Sequence, residues 1–138
     1  MPTKPDIPVI YLAFANEQRG SANSFLRNLK VEREGIRGIF ADAQNDRECE
    51  LLIDPDVTQD NIFHAFQASL TRNRIVIFHY GGHADSNELF VEMPEGGNEA
   101  FYSVGMGALF AQQTRLRLVF LNGCATRDEF VFTINVPP

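Results

Sequence analysis

Hydrophobic positions fall along this chain in short blocks separated by polar, Gly- and Pro-containing stretches. Val9-Ile-Tyr-Leu-Ala-Phe-Ala15 is apolar at every position and closes on Asn16-Glu-Gln-Arg-Gly20. A short run apolar on both faces predicts a strand buried inside a parallel sheet. Ser21 to Glu34 changes to helical spacing, with Phe25, Leu26, Leu29 and Val31 on one side and Gly35 and Gly38 as its stop. Glu50-Leu-Leu-Ile53 predicts a second strand, halted by Asp54-Pro55. Thr58 is a suitable N-cap for a second helix carrying Ile62, Phe63, Phe66 and Leu70 on one face. Arg74-Ile-Val-Ile-Phe78 predicts a third strand that runs into the loop His79-Tyr-Gly-Gly-His-Ala-Asp85.

Leu89–Met93 and Ala100–Val104 flank Pro94-Glu-Gly-Gly-Asn-Glu99 and read as a hairpin. Gly105 to Gln113 predicts a short helix, and Arg117–Leu121 a fourth core strand ending at Asn122-Gly-Cys124. This alternation predicts an α/β domain with parallel core strands. Phe130-Val-Phe-Thr-Ile-Asn-Val136 alternates as a strand would, yet follows the fourth strand too closely for a parallel crossover. It is left to turn back antiparallel, cross to another chain, or stay unpaired.

Composition narrows the function classes. The chain has 138 residues, 44% apolar and 22% charged, which suits one domain with one core. Twelve Lys and Arg against eighteen Asp and Glu leave a net charge of −6. An acidic chain argues against non-specific nucleic-acid binding and against an anionic membrane surface. No apolar run approaches the length of a membrane span, and no secretory leader is visible at Met1-Pro-Thr-Lys-Pro-Asp-Ile-Pro8. Two cysteines, Cys49 and Cys124, make no disulfide framework, so we expect free thiols and a cytoplasmic location.

In open α/β sheets, reacting groups collect beyond the carboxyl ends of the strands. The third strand leads to His83 and the fourth to Cys124. Adjacent parallel strands lie about 4.8 Å apart, so these two side chains can meet if the strands are neighbours. An imidazole beside a thiol can take its proton or stabilise the thiolate, which makes the sulfur nucleophilic. The glycines ahead of each residue suit turns that bring backbone N–H groups close to a substrate carbonyl. The other candidates read differently. Cys49 is expected to be structural, His64 to pack or face solvent on its helix, and His79 to pack or bond to backbone. His79, His83 and Asp85 lack a fourth ligand at useful spacing, so no metal is expected. Gly105-Met-Gly-Ala-Leu-Phe110 puts Phe at the third glycine position of a dinucleotide fingerprint, and no cofactor is expected either.

Phe78-His-Tyr-Gly-Gly-His-Ala84 after one strand and Leu121-Asn-Gly-Cys-Ala-Thr126 after another resemble the CHAT domain. That family comprises caspase-like cysteine peptidases related to separase and caspases. The opening Pro8–Ala15 and Leu26-Arg-Asn-Leu-Lys-Val-Glu-Arg-Glu34 are similar to the start of such domains, so the likeness spans residues 7–126. It implies a caspase-like three-layer α/β sandwich with a mainly parallel central sheet, incomplete at its C-terminal half. Residues 1–138 would be one partial domain, with 127–138 an atypical tail that forms an extra or exchanged strand. The resemblance implies His83 as general base and Cys124 as nucleophile, with the N–H groups of Ala84 and Cys124 as the oxyanion hole. Ala84 stands where the family usually has glycine. Loop residues after the first strand, Arg19 among them, and Asp85 are implied as substrate contacts. The implied activity is cleavage of a protein or peptide substrate in bacterial signalling, stress or cell-death pathways. The alternative is an inactive caspase-like module that binds a partner, a complementing chain or a second copy through its sheet edge.

Overall fold

The computed structural model describes residues 7–16, 26–68, 70–85 and 87–123. Ten elements follow in the order β1 (Val9–Phe14), α1 (Leu29–Asn45), β2 (Glu50–Asp54), α2 (Gln59–Gln67) and β3 (Ile75–Gly81), then β4 (Ala84–Asp85), β5 (Glu88–Glu92), β6 (Asn98–Tyr102), α3 (Ser103–Ala111) and β7 (Leu118–Asn122). Four strands form a parallel sheet in the order β2-β1-β3-β7, and β4-β5-β6 form a small antiparallel sheet.

β1 holds an inner place because all six of its residues are buried, so neither face needs a polar row. Tyr11 and Ala13 point to one side, where α2, α3 and the antiparallel sheet supply Ile62, Phe66, Leu89, Val91, Phe101, Met106 and Phe110. Ile10, Leu12 and Phe14 point to the other, where α1 supplies Leu29, Ile36, Phe40 and Ala43. The inner strand β1 is thus covered on both faces. Between β1 and β3 the register shifts at Val9/Ile10, where Val9 pairs with Ile75 and Ile10 with Ile77. That irregularity puts the neighbours Val76 and Ile77 both in the α1-side cluster.

Three expectations change. Among the described residues the first helix runs Leu29–Asn45 and does not end at Glu34, and Gly35 and Gly38 lie inside it with open space around them. A glycine within an exposed helix face costs about 1 kcal/mol relative to alanine. Anchoring of Ile36, Phe40 and Ala43 on the sheet outweighs that. The helix stops where Arg47 turns left-handed at φ 60°. Glu48 N–H then bonds to Ala43 C=O at 2.8 Å and Arg47 N–H to Gln44 C=O at 3.1 Å, a Schellman ending built without glycine. Val31, placed on the inner face by sequence spacing, is 71% exposed.

The second helix starts as expected. Thr58 Oγ1 accepts from Asn61 N–H at 3.1 Å, and Asn61 Oδ1 accepts from Thr58 N–H at 2.9 Å. It ends at Gln67, so Leu70 lies beyond it and is exposed. β3 does not stop at Phe78. It keeps its partners through Gly81, with Tyr80 in register opposite Ala13 and Leu121, which makes His79 a strand residue rather than a loop residue. The proposed tail, 127–138, lies outside the described residues.

Candidate functional site

β3 and β7 are neighbours, parallel, with Gly81 opposite Asn122. The ladder continues one step further, as Gly82 N–H bonds to Asn122 C=O at 3.2 Å and Ala15 N–H to Gly81 C=O at 3.0 Å. The carboxyl ends of β1, β3 and β7 therefore sit side by side. Their crowding explains the glycines. A Cβ on Gly82 would stand 2.6 Å from the Ala15 carbonyl oxygen, and one on Gly123 would stand 2.8 Å from Ala84 Cβ and 3.0 Å from the Gly82 carbonyl oxygen. Both approaches exclude any side chain without a backbone shift.

His83 follows directly, half-buried, on a fixed backbone. Its carbonyl oxygen accepts from Phe90 N–H at 3.0 Å and lies 2.6 Å from the Tyr80 hydroxyl, which is also 2.7 Å from the Phe90 carbonyl oxygen. Tyr80 is fully buried, and that burial pushes its phenol far above the ordinary tyrosine range, so the hydroxyl stays a donor. Ala84 opens β4, opposite Leu89, with its amide nitrogen 3.5 Å from where a Gly123 Cβ would be. Asp85 is exposed at the end of β4 and pairs in register with Glu88. Cys124 and Arg19 lie outside the described residues. The structure thus brings His83, Ala84 and Gly123 together.

Around them runs a cleft of about 460 Å3 lined by Leu26, Arg27, Glu32, His83, Asn122 and Gly123, among others. Two polar features in and beside it, at Glu32 and at Asn16, were not anticipated. Glu32, in the first turn of α1, places Oε1 2.9 Å from His79 Nε2 and accepts from Asn122 Nδ2 at 2.9 Å. His79 is therefore neither simple packing nor a backbone donor. It is 7% exposed, its ring stacked on Phe120 with centroids 5.2 Å apart and planes 10° apart. The signal for Glu32 was present in sequence, but only with the helix start moved to Leu29, which turns a last-turn residue into a first-turn one. Asn16, in the loop expected to shape a substrate pocket, instead brackets Leu26. Its Oδ1 accepts from Leu26 N–H and its Nδ2 donates to Leu26 C=O, both at 2.8 Å.

Cys49, His64 and Tyr11 do not line this cleft. Cys49 is buried under α1, and burial together with Glu48 raises its thiol pKa. His64 is exposed on α2. Tyr11 donates to Asp54, and burial followed by that carboxylate drives its phenol far upward. Among the described residues, no group of three or more His, Cys, Asp or Glu is arranged to hold a metal ion. No helix among them is long and apolar enough to cross a membrane.

The arrangement offers an imidazole of fixed backbone position, strand ends crowded by glycines, and a polar-walled cleft at the carboxyl ends of parallel strands. Such a site can exchange a proton with a group held in the cleft and can present amide donors to a carbonyl oxygen. Neither a scan of protein-family models nor a search of curated proteins finds a match for this chain.

Proposed function

We propose that this chain is a caspase-like cysteine peptidase of CHAT type acting through His83 and Cys124. The observation that carries the reading is the β3–β7 register. Gly81 is opposite Asn122, and two residues on from each come His83 and Cys124. In the reaction, His83 takes the Cys124 thiol proton and the sulfur attacks the carbonyl carbon of a peptide bond. The resulting oxyanion accepts hydrogen bonds from backbone N–H groups, for which Ala84 and Cys124 are the candidates. Collapse breaks the C–N bond, His83 returns its proton to the leaving amine, and a thioester remains. Water, deprotonated by His83, then hydrolyses the thioester and restores the thiol. Arg19 and Asp85 remain candidates for substrate contact.

The test is alkylation by iodoacetamide, read by mass spectrometry at Cys124 and Cys49 from pH 5 to 9, in the parent and in His83→Ala. A paired thiolate reacts well below the unperturbed thiol pKa of about 8.5. We expect Cys124 to react at pH 6–7, to lose that reactivity in His83→Ala, and to outpace Cys49 throughout. Cys124 titrating as an ordinary thiol, indifferent to His83, would remove the peptidase reading.

A second reading has its own observation. Among the described residues β7 pairs only with β3, and Leu118 and Phe120 on it are 50% and 51% exposed. An open edge beside apolar side chains is what a binding module would offer a partner or a second copy.

A further inference from the structure

We propose that Glu32 is the positioning residue of this site, a clamp that sets the strand bearing His83 against the strand leading to Cys124. The inference rests on the reading of those two residues as the reacting pair. One carboxylate oxygen, Glu32 Oε1, meets His79 Nε2 and Asn122 Nδ2, each at 2.9 Å. His79 belongs to β3, four residues before His83, and Asn122 closes β7, two residues before Cys124. A single atom of α1 therefore ties together both strands that carry the chemistry.

Three features make the clamp stiff. The His79 ring stacks on Phe120 at 5.2 Å and meets Phe14 at 5.6 Å, contacts that favour its orientation toward the carboxylate. Gly81 brings the β3 backbone directly under Glu32, where an added Cβ would stand 3.2 Å from Oε1 and 2.9 Å from the Phe14 ring. Leu29, one turn before Glu32, is buried in the α1-side core and fixes the helix start. Hydrogen bonds to an ionised carboxylate are shorter and stronger than neutral ones, which suits a contact whose work is alignment. Alignment matters here because a nucleophile and its base misplaced by about 1 Å can lose on the order of a hundredfold in rate.

The experiment measures Cys124 alkylation at pH 7 with Cys49 as internal reference, in the parent, His83→Ala, Glu32→Ala and Glu32→Gln. We expect Glu32→Ala to slow Cys124 by about tenfold or more, and Glu32→Gln, which keeps an accepting oxygen, to recover most of that loss. The Asn122 side-chain amide resonances should move in Glu32→Ala and stay near their parent positions in Glu32→Gln. A merely structural glutamate would lower the melting temperature without changing the rate at Cys124 in the folded protein. Parent-like Cys124 reactivity in Glu32→Ala, with His83→Ala slowed, overturns the clamp and leaves the dyad standing. Parent-like reactivity in both overturns the dyad and the clamp with it. Should Glu32→Ala not fold, Asn122→Ala removes one arm of the clamp at an exposed position and must slow Cys124 for the proposal to survive.

Discussion

The two faces of the parallel sheet are built on different terms. On the side of α2 and α3, Tyr11, Phe66, Phe78 and Phe110 interlock edge to face or tilted, with neighbouring ring centroids 5.4–6.0 Å apart. All four are essentially inaccessible. On the side of α1, the core is Ile10, Leu12, Phe14 and Leu29, and the cover stops short of β7, whose Leu118 and Phe120 remain half-exposed. The polar network of Glu32, His79 and Asn122 stands at the boundary where that cover ends. The lesson is a division of labour. A closed aromatic face holds the strands rigid, which allows the other face to leave a cleft at their carboxyl ends.

That contrast can be broken at its strong side first. Phe78→Ala removes a fully buried ring touching three others, and should cost about 3–5 kcal/mol in urea unfolding. A loss below about 1 kcal/mol would mean that the face is loosely packed and the contrast mistaken.

A smaller effect should follow pH. On the closed side, burial and then the neighbouring Asp56 push the Glu92 carboxyl up to about 7 from an ordinary 4.5. The native state therefore holds a proton that the unfolded chain has already lost across that window, so stability must fall as pH rises from about 5 to about 7. Glu92 is only partly buried, and the discounted effect is on the order of 1 kcal/mol. Urea midpoints at pH 5 and 7.5 should separate in the parent and converge in Glu92→Gln. Equal pH slopes in the two proteins would contradict the assignment.

The least effect belongs on the open side. Leu118→Lys, at a half-exposed position, should change stability by no more than about 0.5 kcal/mol. If the edge of β7 serves as an interface between copies, the same change should reduce the concentration dependence of sedimentation. An unchanged dependence would speak against that use of the edge.

The four strands of the parallel sheet were legible because each carries a compact apolar block, and the N-cap of α2 because Thr58 has chemistry suited to it. The two-residue β4, Ala84–Asp85, carries no such block and was read as loop. The start and end of α1 were not legible. Its apparent stop, Gly35 and Gly38, sits on a face with nothing against it, and its true stop uses Arg47 at a φ where sequence reading looks for glycine. The glycines at 82 and 123 were read as marks of tight turns, and the contacts give a more specific reason: neighbouring strand ends leave no room for a Cβ. His79 was undervalued because its partner is 47 positions away on an element whose boundary was misplaced. Periodicity reports which face is apolar. It carries no information about which distant carboxylate meets a buried imidazole.

The inner place of β1 also bears on how the chain is made. Val9–Phe14 needs β2 on one side and β3 on the other, and its second partner begins only at Ile75. A polypeptide leaving the ribosome thus carries an apolar segment with both edges unsatisfied until β2 emerges and one edge unsatisfied until β3 does. Such segments are prone to pair with the wrong strand or the wrong molecule. The local hairpin of β5 and β6 can close as soon as it is synthesised, whereas the sheet must wait for contacts distant in sequence. Early ribosome-bound fragments ending before residue 75 should accordingly be the forms that most need a chaperone.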